Sequence, residues 1–155
     1  MASTPSQVDL EMGQKFEQVA ADLFVKHLWG ASYSAVKRSE RSFIDMSVVS
    51  GAEVYALLEV KARRVDSDIY DSTIVHVNKH TSARSLYTMR GWRTACLVIF
   101  EDKAGYFWLD ERPDGKEFVA RADRNGEGAD HALYSHTRII WVEGLREQIE
   151  AATAE

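Results

Sequence analysis

Apolar positions change period several times along the chain, and each change predicts an element. Leu10, Gly13, Phe16, Ala20, Leu23, Phe24 and His27 recur at helical spacing, so an amphipathic helix is predicted over residues 9–28, with Gly30 as its stop. Residues 32–37 read as a short strand and Arg38-Ser39-Glu40-Arg41 as a charged link. Two apolar arms, residues 43–49 and 54–62, follow on either side of Gly51-Ala52-Glu53 and predict a hairpin. Ile44, Met46 and Val48 line one face of the first arm, and Val54, Ala56, Leu58 and Val60 one face of the second. Phe43, Val49, Tyr55 and Leu57 occupy the opposite faces, so both arms are expected to be covered on both sides.

Beyond the hairpin, residues 66–72 are polar and turn-like, and residues 73–77 read as a brief strand. Asn78 is the expected cap of a helix over residues 79–90 that stops at Gly91. Ala83, Leu86, Tyr87 and Arg90 share one face of that helix, and Lys79 extends it by a turn, pointing toward the sheet. Strands are predicted over 95–100 and 106–110, a turn at Arg112-Pro113-Asp114-Gly115, and a short strand over 117–120. Residues 121–135 lack periodicity and read as a long loop. Residues 137–143 return to strand character, and 145–152 close the chain as a helix or tail.

Against this pattern three polar positions stand out. With the hairpin folded about Ala52, residues whose numbers sum to 104 lie opposite, so Asp45 faces Glu59, and the period of two puts Lys61 on the same face as Glu59. Carboxylates about 5 Å apart repel by roughly 3 kcal/mol at an effective dielectric near 20. The pair therefore asks for a cation. Glu17, inside the apolar stripe of the first helix, is a further acid in need of a partner, or else one that reaches solvent at the stripe's edge.

Composition narrows the setting. The 155 residues suit one domain, read as a flexible arm over 1–8 and a single folded unit over 9–150. No long apolar run or signal-peptide pattern is present, so a cytoplasmic protein with no membrane partner is expected. Cys96, the single cysteine, sits in an apolar strand and reads as an inert buried thiol. The net charge of -5 argues against nonspecific coating of nucleic acid, yet basic residues gather between Lys61 and Arg93. Arg63, Arg64, Lys79 and Arg84 are the candidate nucleic-acid contacts in that stretch. His76 and His80 lack a third ligand for zinc, Tyr87 and Trp92 are expected to pack on the sheet, and Arg121-Ala122-Asp123-Arg124 reads foremost as a solvated loop. Neither a nucleophile elbow nor a phosphate-cradling glycine loop occurs.

Phosphodiester hydrolysis with a divalent ion needs oxygen ligands, an acidified water and positive charge near the developing oxyanion. Asp45 and Glu59 supply ligands, the Val60 carbonyl a third, Glu17 an outer or second one, and Lys61 the charge. A helix acid, a strand Asp and Glu59-Val60-Lys61 closing an apolar strand together resemble the signature of the PD-(D/E)XK nuclease superfamily. Lys79 resembles the additional lysine or glutamine that many members place on the next helix, while Ile44 stands where the signature has Pro. The resemblance runs from Asp9 to Phe100. It implies a single α/β domain with a mixed central sheet flanked by helices, an αβββαβ core of the restriction endonuclease or Holliday junction resolvase type, here with extra C-terminal strands. It further implies a Mg²⁺- or Mn²⁺-dependent deoxyribonuclease of phage, repair or recombination type, with Glu17, Asp45, Glu59, Lys61 and Lys79 as catalytic residues. For a phage protein the site of action is the host cytoplasm. DNA is the implied partner, with a homodimer or a larger assembly as its setting. The alternative is an inactive nuclease-like fold serving as a structural or DNA-binding module, which the acidic charge favours.

Overall fold

A computed structural model describes residues 7–119 and 128–154, with side chains from Gly13 onward. The first helix, α1 (Gln7–Leu28), ends where Gly30 takes a φ of 120°. Its core stripe runs through Ala20, Ala21, Phe24 and Val25, all fully buried, whereas His27 is exposed. Residues 7 and 8, assigned by sequence to the arm, are thus helical.

A six-stranded sheet has the order β1-β2-β3-β5-β6-β9. It is built from β1 (Ser34–Lys37), β2 (Met46–Ser50), β3 (Glu53–Ala62), β5 (Arg93–Ile99), β6 (Ala104–Trp108) and β9 (Ile140–Trp141). Only the β3/β5 pair is parallel, which makes the sheet mixed and requires a crossover. That crossover contains β4 (Ser72–His76) and helix α2 (Val77–Arg90). A second, antiparallel sheet has the order β4-β8-β7, with β7 (Gly115–Val119) and β8 (Ala129–Ser135). The last helix, α3 (Leu145–Thr153), returns to pack beside α1.

Alternation along β3 explains the layers. Ala56, Leu58 and Val60 join the core beneath α1 and α3, while Leu57 joins a second core with Cys96, Val98, Ala83 of α2 and Tyr134 of β8. The central sheet is therefore covered on both faces, as its unbroken apolar runs require. Glu59 shares the parity of Leu57, so its carboxyl belongs to the α2 side.

Several expectations need correction. The first arm is a strand only from Met46, because the chain bends at residues 43 and 44. Ile44 accordingly joins the α2-side core while Met46 and Val48 join the other. The cap of α2 is His76 rather than Asn78, its Nδ1 accepting from the Asn78 N–H at 3.1 Å. Tyr87 is exposed beneath the Arg84 guanidinium, while Trp92 packs against the core as expected. Residues 129–135 of the expected loop form β8, and of residues 137–143 only Ile140–Trp141 form a strand, after a 3-10 turn at His136–Arg138. The Arg121–Arg124 group lies outside the described residues.

Gly105 marks the tightest constraint on the outer edge. A Cβ there would meet Ile139 Cγ2 at 2.5 Å and the Ile140 carbonyl at 2.8 Å. Gly105→Ala should cost about 1–3 kcal/mol through overpacking, read as a lower urea midpoint with an unchanged slope. An unaltered midpoint would show that β9 moves aside freely.

Candidate active site

The hairpin register sets the site. Met46, Ser47 and Val48 face Leu58, Leu57 and Ala56, each pair summing to 104, and a bulge between Val48 and Val49 shifts the count only near the turn. Asp45 therefore arrives opposite the Glu59 region, where its Oδ2 accepts from the Val60 N–H at 3.3 Å. The Arg38 N–H donates to the Asp45 carbonyl at 2.9 Å, fixing the bend that precedes β2.

Glu59 is 2% exposed. Lys79, on the first turns of α2, donates from Nζ to Glu59 Oε1 at 2.5 Å, to Oε2 at 3.1 Å and to the Phe43 carbonyl at 2.8 Å. Burial pushes the Glu59 carboxyl up to about 8, and the neighbouring Asp45 carboxylate, within hydrogen-bonding reach, pushes in the same sense; Lys79 opposes both. Half-buried Lys61 is drawn below its usual range by desolvation and then by Arg63, with Glu59 pulling the other way.

Glu17 enters from α1. The helix is tied to the edge strand by Gln18 Nε2, which donates to the Ala35 carbonyl at 3.0 Å. Glu17 then shares with Asp45, Lys37 and Met46 the lining of a pocket of about 460 Å³. Desolvation raises its carboxyl, Asp45 adds to the rise, and Lys37 and Lys79 offset it.

All five predicted catalytic side chains thus converge, from α1, the lead-in to β2, β3 and α2. Arg63 follows on the Lys61 face of β3 and Arg64 is exposed beside it, whereas Arg84 projects elsewhere, over Tyr87 and into a groove it shares with His80. His80 is engaged by the Leu109 carbonyl and the Tyr134 hydroxyl, each at 2.8 Å. Burial holds the Cys96 thiol protonated, in keeping with an inert role. Sequence missed the Phe43 carbonyl and Lys37. Lys37 was findable from the β1/β2 register, which sets it opposite Met46; a backbone carbonyl leaves no residue-type signal.

Among the described residues no three His, Cys, Asp or Glu side chains are gathered tightly enough to hold an ion as they stand. Two oxygens of Glu59 and the Phe43 carbonyl are instead engaged by the Lys79 ammonium.

No family model and no curated protein matches the sequence. Among solved structures the chain is similar to Hjc, a Holliday junction resolvase from the archaeal hyperthermophile Archaeoglobus fulgidus. The TM-score is 0.53 over 88% of this chain and 99% of that one, at 12% identity. The likeness shows a shared fold of the restriction endonuclease-like kind. The restriction endonuclease-like core accounts for the single mixed sheet between helices, and β6, β7, β8 and β9 are the extra C-terminal strands. No described helix is long and apolar enough to cross a membrane.

The buried acid has a consequence for stability. The folded protein holds the Glu59 proton up to about pH 8, whereas an unfolded chain releases it near the ordinary 4.5. Between these values the unfolded state binds fewer protons, so stability falls as pH rises across the window. In EDTA, Tm should decline from pH 5 to pH 8, and Glu59→Gln should flatten most of that slope. An equal slope in wild type and variant would refute the assignment.

Proposed function

We propose that the protein is a metal-dependent DNA nuclease. The observation that carries this reading is the convergence of Asp45, Glu59 and Lys61 at one end of the sheet, in a fold shared with a junction resolvase.

In this reading Asp45, Glu59 and the Val60 carbonyl hold Mg²⁺ or Mn²⁺, with Glu17 as an outer ligand reached through the shared pocket. The chemistry such an ion supplies is charge neutralisation at the phosphoryl group and a water acidic enough to attack near neutral pH. Lys61, with its ammonium made more acidic by burial, hydrogen-bonds the non-bridging phosphate oxygens and stabilises the charge that develops on them. Lys79 would turn its ammonium from Glu59 toward phosphate or water when Glu59 serves as a ligand. Arg63 and Arg64 grip the strand beyond the scissile bond, and a second copy of the chain provides the second cut where the substrate is symmetric.

The other reading is a nuclease-like fold retained as a DNA-binding or structural module. The Lys79–Glu59 clamp and the net charge of -5 favour it, since both are self-sufficient without an ion.

Cleavage of plasmid, linear, flapped and four-way DNA with Mg²⁺, Mn²⁺ or EDTA tests the proposal. Activity should require the ion, and Asp45→Ala and Lys61→Ala should each lose about 10²-fold or more. Wild type indistinguishable from both variants on every substrate would sink it. Mn²⁺ calorimetry separates the two readings, because retained ligands bind the ion and Asp45→Ala does not.

A further inference from the structure

A groove of about 630 Å³ opens past the end of β3, within the roughly 300–1,000 Å³ range of small-molecule sites. Arg63 and Arg64 form the wall nearest the catalytic cluster. Arg63 follows Lys61 on the same side of the extended chain and lies near enough to depress its ammonium. Among the described residues neither guanidinium is paired with a carboxylate. Tyr70 lines the groove while 65% exposed, and Asp71 and Glu117 line it among apolar neighbours that include Val65, Ile74 and Val119.

The groove is preformed. Its floor includes His136, whose ring is locked by Thr73 Oγ1 at 2.8 Å and the Ser67 carbonyl at 3.2 Å and packs edge-on against Phe100. The loop bearing Tyr70 is anchored by Ser67, which donates from its N–H and hydroxyl to Asp102 at 2.8 and 2.7 Å.

Two guanidiniums, an exposed aromatic ring and two carboxylates in one groove match a single nucleotide better than a duplex. Guanidiniums take a phosphate, and an aromatic face takes a base. Carboxylates accept from exocyclic amines but repel the phosphates of a second strand. We propose that this groove binds an unpaired nucleotide of the DNA strand, next to the scissile phosphate, with its phosphate on Arg63 and Arg64 and its base on Tyr70. The inference rests on the nuclease reading and narrows its substrate to strands with single-stranded or extruded nucleotides, as at flaps and branches.

Fluorescence polarisation in EDTA tests it without cleavage, using a short labelled single strand of mixed sequence and the duplex of the same sequence. The single strand should bind at least about tenfold more tightly. Tyr70→Ala and Arg64→Gln, both at exposed positions, should each weaken single-strand binding about tenfold and duplex binding little. Excess free dCMP should compete for the groove and displace the strand, though less efficiently than unlabelled single strand does. Equal affinity for the two probes, indifference to Tyr70→Ala, or no displacement by excess dCMP would each overturn the proposal. Tyr70-dependent strand selectivity without cleavage would defeat the nuclease reading and keep the groove; cleavage without that selectivity would do the reverse.

Discussion

The arrangement of this molecule depends on a carboxyl group placed where a sheet is covered on both faces. Glu59 sits between Leu57 and Lys61 on the α2 side of β3, where a buried carboxyl is costly unless it keeps its proton or is paired and hydrogen-bonded. Asp45 makes the position worse. What compensates is Lys79, and Lys79 reaches Glu59 because α2 crosses that face with its N-terminal end over β3. The parallel β3/β5 pairing demands such a crossover, and the small β4-β8-β7 sheet closes the core beside it. One acid thus couples the hairpin register, the crossover helix and the second layer.

The same coupling explains what could be read from the sequence. Period-two alternation and a short turn fix a hairpin register almost alone, so Asp45, Glu59 and Lys61 were legible as neighbours. Lys79 was legible because its spacing to Ala83 and Leu86 defines a helix face. Ile44 was misplaced since alternation holds only inside a strand, and the bend before Asp45 resets it. β8 escaped notice because along Ala129–Ser135 the buried residues are His131, Ala132 and Tyr134, a set with no period-two apolar alternation. Its pairing with two short, distant strands leaves no local mark. β9 was overextended for the converse reason: Ile140 and Trp141 look like a buried strand yet form an exposed edge, while the buried neighbours Ile139 and Val142 lie outside it.

Charge needs to be considered at the scale of the site rather than the chain. At physiological salt, exposed charges more than about 8 Å apart are largely screened, so acids at the C-terminal end do little to the field around Lys61. Lys37, Lys61, Arg63, Arg64 and Lys79 lie around or just beyond the three acids. The net charge of -5 therefore weakens long-range attraction to DNA without removing a local anchoring track. In the proposed nuclease reading, a protein built this way gains its grip from geometry near the scissile bond.

That distribution also bears on selectivity. A broad basic face would hold any duplex, and discrimination would then have to come from the catalytic step alone. In the proposed reading Arg63 and Arg64 share the groove with Asp71 and Glu117, so a second strand would meet repulsion where a single strand meets complementary groups. Discrimination built from repulsion costs affinity for every substrate but costs the wrong one more. The acidic balance that sits awkwardly with a generic DNA-binding protein is consistent with one whose preferred strand is already separated from its complement.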